Sequence, residues 1–121
     1  MRIGVNLSTT DEHGRLLDGK GLAAMARLIE DVGLDGAWLG DHLPIPGTDV
    51  RRRPDPLMAL LLAAHATERI ELGTCIYAPG LRGMYEVAQR FATMTTLAPG
   101  RFTLGVGTGS QQREYEAAGV D

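Results

Sequence analysis

The 121-residue chain lacks several features that would place it in a specialised class. It has one cysteine, Cys75, so no internal disulfide can form, and the reducing cytoplasm is the expected compartment. It has no apolar run long enough for a signal peptide or a membrane span. Its net charge of −3 leaves no basic surplus for nucleic acid. Its histidines have no metal-ligand spacing, so we expect no metal site.

What remains is an ordinary globular composition, with 44% apolar and 22% charged residues. Four short apolar runs predict β-strands, and the first is expected to be buried on both faces. Three helices are predicted between them. The first begins at the N-cap Asp18 and stops at Gly33. The second begins at Asp55 and Pro56, and the third ends before Pro99. The four predicted strands span residues 2–7, 36–40, 70–77 and 101–106.

The alternation of strands and helices predicts an α/β fold built from right-handed parallel β–α–β units. Two architectures share this order: the doubly wound open sheet and the eight-stranded barrel. Periodicity alone does not separate them. An open sheet that binds a nucleotide is disfavoured, because the glycines at 105, 107 and 109 alternate and do not follow the G-x-G-x-x-G pattern.

Polar or small residues follow the predicted strands, where a barrel places its working groups. Asp41 and His42 follow the second strand, and a neutral imidazole there can hydrogen-bond a ligand. The alternative is a pair that only orders the turn. The glycines of Gly107-Thr108-Gly109 allow a ligand to approach the backbone closely, although a tight turn would also need them. Cys75 is interpreted as a small core residue, since no nearby base would activate it as a nucleophile.

Three segments carry a resemblance to a known family. They read GLDGAWLGDH at 33–42, ATERIELGT at 66–74 and LAPGRFTLGVGTG at 97–109. In this order and spacing, the chain from residue 2 to residue 121 resembles the luciferase-like monooxygenases, especially the branch that uses the deazaflavin coenzyme F420.

The resemblance implies a (β/α)8 TIM barrel, which takes roughly 250 residues. Residues 1–121 would then be the N-terminal half of a barrel domain, with the first four parallel strands and about three helices. The tail at 113–121 would lead into a fourth barrel helix that the chain lacks. We therefore expect the chain to be a fragment of a longer protein.

The same resemblance implies a function and a site. The full-length relative would be an F420- or FMN-dependent oxidoreductase, or a monooxygenase, acting on a small organic substrate. His42 would be catalytic, and a non-prolyl cis peptide is expected between Cys75 and Ile76. The choice between F420 and FMN stays open. The residues implied to bind the cofactor are Asp41, His42, Thr74, Cys75, Ile76, Gly107, Thr108 and Gly109.

Two departures from the family pattern qualify this prediction. The family's sugar-phosphate dehydrogenases have a glutamate directly after the Gly-Thr-Gly, where this chain has Ser110, and this argues against their particular reaction. The loop after the third strand has Arg82 but lacks the histidine of many relatives. The alternative function is a catalytically inert half-barrel module that folds or assembles as a homo-oligomer through exposed edge strands.

Overall fold

The computed structural model describes residues 1–43, 45, 53–109 and 111–120. Within these ranges it contains four strands, four α-helices and one 3-10 turn. The strands are β1 (Gly4–Asn6), β2 (Gly36–Leu39), β3 (Glu71–Tyr77) and β4 (Phe102–Val106). The helices are α1 (Gly19–Asp31), α2 (Pro56–Ala66), α3 (Met84–Leu97) and α4 (Gln112–Ala118), and the 3-10 turn is Pro79–Leu81.

The strands form one parallel sheet in the order β1-β2-β3-β4. A doubly wound sheet requires the strand order to reverse, so that helices cover both faces. Sequential order combined with right-handed crossovers instead puts every helix on the same face. The topology therefore matches an arc of a barrel wall, which confirms the predicted fold class.

The helix starts are local consequences of the sequence. The Asp18 carboxylate accepts a hydrogen bond from the Gly21 N–H at 2.8 Å. The Asp55 carboxylate accepts hydrogen bonds from the N–H groups of Leu57 and Met58 at 3.0 and 3.1 Å. Each cap satisfies N–H groups that the first turn leaves without partners. Both predicted N-caps are confirmed.

The core lies between the sheet and the helices. Side chains on the helix-facing side of the strands are buried, with Ala37 and Leu72 fully inaccessible. Ala26 and Leu60 cover them from α1 and α2, and are equally buried. Burial of this kind contributes about 25 cal/mol per Å² of apolar surface, so this layer stabilises the fold.

The opposite face of the sheet carries Trp38 and a row of glycines. Trp38 is paired with Asn6 on β1 and with Gly73 on β3. A Cβ atom at Gly73 or at Gly4 would overlap the indole ring. These two glycines therefore give the indole room to lie across three strands.

Two expectations are wrong. β1 is not buried on both faces, because it is an edge strand with one neighbour and its residues are mostly exposed. Cys75 is exposed and is not a core residue, because it points to the face of the sheet without helices. A short helix, α4, follows β4, and Gly119 ends it in the left-handed conformation.

Side chains tie the loops together at the amino edge of the sheet, where the strands begin. The Glu30 carboxylate accepts hydrogen bonds from the backbone N–H groups of Glu68, Arg69 and Ile70. Burial alone would raise the pKa of Glu30, but these three N–H donors and the charge of Arg69 outweigh it and lower the pKa below its usual value. In return the Arg69 guanidinium donates to the carbonyl groups of Glu30 and Leu34.

Arg101 makes a second set of hydrogen bonds at the amino edge of the sheet. Its guanidinium donates to the carbonyl groups of Ala64, Thr67 and Ile70, and to the hydroxyl of Thr67 at 2.6 Å. The first two carbonyl groups lie at the end of α2, where the helix itself supplies no donors. The Arg101 guanidinium therefore caps the carboxyl end of α2.

Candidate functional site

A cavity of about 380 Å³ lies at the carboxyl edge of the sheet. Parallel strands place their carboxyl ends side by side, which brings together residues that are far apart in sequence. Seven of the eight predicted cofactor residues line the cavity: Asp41, His42, Cys75, Ile76, Gly107, Thr108 and Gly109. Gly40 and Glu114 complete the lining.

Thr74 does not join this lining. It is buried, and its hydroxyl donates to the Gly105 carbonyl of the neighbouring strand at 2.9 Å. In this structure Thr74 therefore links β3 to β4 beneath the cavity floor.

Asp41 is held by an arginine. Its side chain is fully buried, and both oxygens accept from the Arg82 guanidinium, at 2.5 and 2.8 Å. One oxygen also accepts from the Ala78 N–H at 3.1 Å. Burial alone would lower the pKa of Arg82, but the hydrogen bonds and charge of Asp41 outweigh it and raise the pKa, so the guanidinium stays charged. The pair joins the end of β2 to the loop after β3.

Arg82 also lies over the ring of Tyr77, 4.8 Å from its centroid. This distance is within the range of a cation–π contact. Tyr77 is fully buried, and burial raises the pKa of its phenol. The aromatic ring and the carboxylate together fix the arginine in one position at the rim of the cavity.

His42 lies beside Asp41 and meets an acid from the far end of the chain. Its Nδ1 is 2.9 Å from the Glu114 carboxylate. The imidazole is 27% exposed and the Glu114 side chain only 4%. The contact therefore joins a buried acid to a histidine that reaches the cavity.

The segment 107–109 forms the third side of the cavity. A Cβ atom at Gly107 would lie 3.3 Å from Ile76, and Gly109 has φ of +74°. The first position permits close packing of the two loops, and the second needs the left-handed conformation that glycine adopts without strain. The Tyr115 hydroxyl donates to the Thr108 carbonyl, which fastens α4 to this segment.

The peptide bond between Cys75 and Ile76 is cis, as the resemblance implied. The pairing register between β3 and β4 shifts between Thr74 and Tyr77, around this bond. Both residues of the cis unit line the cavity, as do His42 and Gly107.

Sequence reasoning missed Glu114. No local signal marks it, because its contact with His42 joins residues 72 positions apart. Ser110, the departure noted from the sequence, lies outside the described residues. In the part of the chain that is described, no group of three or more His, Cys, Asp or Glu side chains could hold a metal ion. No helix there is long and apolar enough to cross a membrane.

Comparison with known proteins agrees with the fold. The model of the luciferase-like monooxygenase family matches residues 1–121, so the chain belongs to that family. The predicted resemblance is therefore confirmed.

One curated relative is the F420-dependent glucose-6-phosphate dehydrogenase of Kineococcus radiotolerans. It is 43% identical over 101 residues, which cover 82% of this chain and 29% of the relative. The chain therefore spans less than a third of the length of that relative.

Two solved structures show the same fold. An F420-dependent secondary alcohol dehydrogenase, solved with an F420–acetone adduct, is 29% identical with a TM-score of 0.72, and the match covers 89% of this chain and 32% of that one. The oxygenating constituent of 3,6-diketocamphane monooxygenase from Pseudomonas putida, in complex with FMN, has a TM-score of 0.83 at 19% identity, over 98% of this chain and 32% of that one.

Proposed function

We propose that residues 1–121 form the N-terminal half of a barrel whose mouth binds a deazaflavin or flavin. The whole protein would be a cytoplasmic F420- or FMN-dependent oxidoreductase, or a monooxygenase, acting on a small organic substrate. The main support for the proposal is that one cavity is lined by residues from the carboxyl ends of β2, β3 and β4. The F420-dependent relatives and the FMN-bound structure support the choice of cofactors.

The residues present suit a flat, partly polar ring system. Ile76 offers an apolar side chain, and two of the three residues at 107–109 are glycines, which leave their backbone open to a ligand. When bound, such a ring supplies hydride transfer or oxygen activation, and the protein contributes position, electrostatics and exclusion of water. His42 would hydrogen-bond the ring and hold or move a proton at Nε2. Asp41 would act through Arg82 by fixing the rim.

Cys75 offers a direct test, because it is the only thiol and is exposed at the cavity. Either cofactor should slow alkylation of Cys75 in a saturable way. We expect a dissociation constant above about 100 µM, equivalent to about 5–6 kcal/mol, since this chain supplies only part of the mouth. His42→Ala should weaken the protection at least tenfold, or about 1.4 kcal/mol.

The matched control is His65→Ala, which removes an exposed imidazole on α2, away from the cavity. It should leave the protection unchanged. Alkylation rates that neither cofactor alters at about 1 mM, a free energy of about 4 kcal/mol, would contradict the proposal.

A second candidate is a half-barrel module that assembles with a copy of itself, and the exposed edges favour it. β1 and β4 each have one strand neighbour, and Val106 is 57% exposed. A two-fold pair that joins each β4 to the partner's β1 would close an eight-stranded barrel. Light scattering with gel filtration tests this at roughly 100 µM, where mass action favours assembly. A sharp monomer peak of 13.0 kDa would exclude it.

A further inference from the structure

The contact between His42 and Glu114 constrains where the proton of the imidazole resides. An ionised carboxylate can only accept hydrogen bonds. With 2.9 Å between Nδ1 and the Glu114 oxygen, Nδ1 must then carry the proton and donate it. Among the described residues nothing hydrogen-bonds Nε2, and the two nitrogens lie on different edges of the ring. Nε2 is thus left for an occupant of the cavity.

We propose that Glu114 is a positioning residue that fixes His42 as the Nδ1–H tautomer and turns Nε2 toward the cavity. A carboxylate behind an imidazole has this effect in catalytic and metal-bound histidines generally. The neutral ring then presents a lone pair at Nε2, and the protonated ring presents an N–H at the same place. In both states one atom of His42 faces the ligand.

The fold holds Glu114 in place from three directions. α4 packs on the 3-10 turn Pro79–Leu81, and a Cβ atom at Gly80 would lie 3.2 Å from the Tyr115 hydroxyl. The Tyr115 hydroxyl is bonded to the Thr108 carbonyl. Gly119 ends α4 in the left-handed conformation, and its N–H donates to the Glu116 carbonyl at 3.2 Å. Glu114 lies between these fixed points.

The other nearby carboxylate does not compete for the histidine. Both oxygens of Asp41 are engaged by Arg82, and one also accepts from Ala78. Glu114 in turn has no arginine or lysine within ion-pair distance in the described part of the molecule, where the His42 imidazole is the side chain that contacts its carboxylate. The two acids at this edge therefore have separate tasks: Asp41 fixes the rim and Glu114 orients the imidazole.

The relevance of this tautomer to a bound ring rests on the proposed function, but its test needs no cofactor. Long-range ¹H–¹⁵N correlation spectra distinguish the two neutral tautomers. They should be recorded well above the ordinary histidine pKa of about 6.5. We expect Nδ1–H to predominate at His42 and Nε2–H to become the major form in Glu114→Ala. His13 and His65 are exposed and should keep the same pattern in every variant.

Glu116→Ala is the matched control, because it removes an exposed acid from the same helix, one that accepts a hydrogen bond from Gln112. It should leave His42 in the Nδ1–H form. An Nε2–H tautomer at His42 in the unaltered protein would overturn the proposal even if Glu114→Ala failed to fold, and so would an unchanged tautomer in a folded Glu114→Ala. Loss of cofactor protection at Cys75 with the tautomer intact would refute only the proposed function.

Discussion

Carboxylates and guanidinium groups occur at both edges of the sheet, but they make different kinds of contact at each edge. At the amino edge, Glu30 accepts from three backbone N–H groups, and Arg101 donates to three backbone carbonyl groups. At the carboxyl edge, Asp41 and Arg82 bond each other, and the imidazole of His42 lines the cavity. In barrels the amino edge typically serves stability and the carboxyl edge serves function.

The Asp41–Arg82 ion pair is buried beside the cavity and joins two of the segments around it. The Asp41–Arg82 pair lies at the carboxyl edge, and its side chains are only 0% and 11% exposed. Its expected contribution is therefore to stability first, and to activity through the shape of the rim. Substitutions at the two edges can separate these contributions.

The largest effect is expected for Asp41→Asn. The substitution removes the carboxylate that contacts the buried Arg82 guanidinium at 2.5 and 2.8 Å, and the Asp55 carboxylate, 4.0 Å away, remains as its nearest acid. Removing one partner of a buried ion pair typically costs 3–5 kcal/mol. Urea unfolding should show this loss as a lower midpoint with an unchanged slope. The double variant with Arg82→Met should recover part of the loss, because no unpaired charge remains.

Glu86→Gln provides the control, since it removes an acid from an ion pair with Arg90 that is partly exposed. That change should cost less than about 0.5 kcal/mol. A similarly small cost for Asp41→Asn would show that the buried pair contributes no more than a surface pair.

A smaller and pH-dependent effect is expected for Glu30→Gln. The amide is a weaker acceptor for the three backbone N–H groups, so near neutral pH we expect a loss of about 1–2 kcal/mol. The pKa of Glu30 is lower in the folded protein than its ordinary value of 4.5. The unfolded chain therefore binds more protons than the folded protein as the pH falls. The stabilisation by Glu30 is present above about pH 4.5 and is lost as the pH falls through the folded pKa.

The gap in free energy of unfolding between the unaltered protein and Glu30→Gln should consequently narrow in acid. Denaturant unfolding from neutral pH down to about 3 measures it, a range that spans ordinary glutamate titration. The matched control is Asp31→Asn, at the next and exposed position of α1. A gap that is the same at every pH would mean that the Glu30 carboxylate gains nothing from its N–H donors.

The sequence predicted the elements of this fold well, because their signals are local. Asp18, Asp55 and Pro56 act within one helical turn, so the residues themselves locate the helix starts. The sequential strand order was not predictable from periodicity, since it depends on which strands pair. Here the resemblance supplied the barrel, and the register of the sheet then agreed with it.

The sequence predicted most of the residues that line the site, but not the residues that they contact. Asp41 and His42 are adjacent in sequence and were expected to work together, yet each is bonded to a different partner. Those partners, Arg82 and Glu114, are 41 and 72 residues away in sequence. No local pattern encodes a contact between residues so far apart, and only the topology brings them to one edge. The burial of Cys75 was predicted wrongly for the same reason, since its exposure depends on which face of the sheet lacks helices.

The indole that lies across the glycine row gives this protein a built-in optical probe. Trp38 is the single tryptophan of the sequence, and it is half-buried on the face of the sheet without helices. Its fluorescence therefore arises from one known position, because the sequence has no second tryptophan that would contribute to the signal. Whatever comes to cover that face, whether further strands of a barrel or a second copy, would dehydrate the same ring. The colour and polarisation of its fluorescence would thus report closure of the barrel interior without any added label.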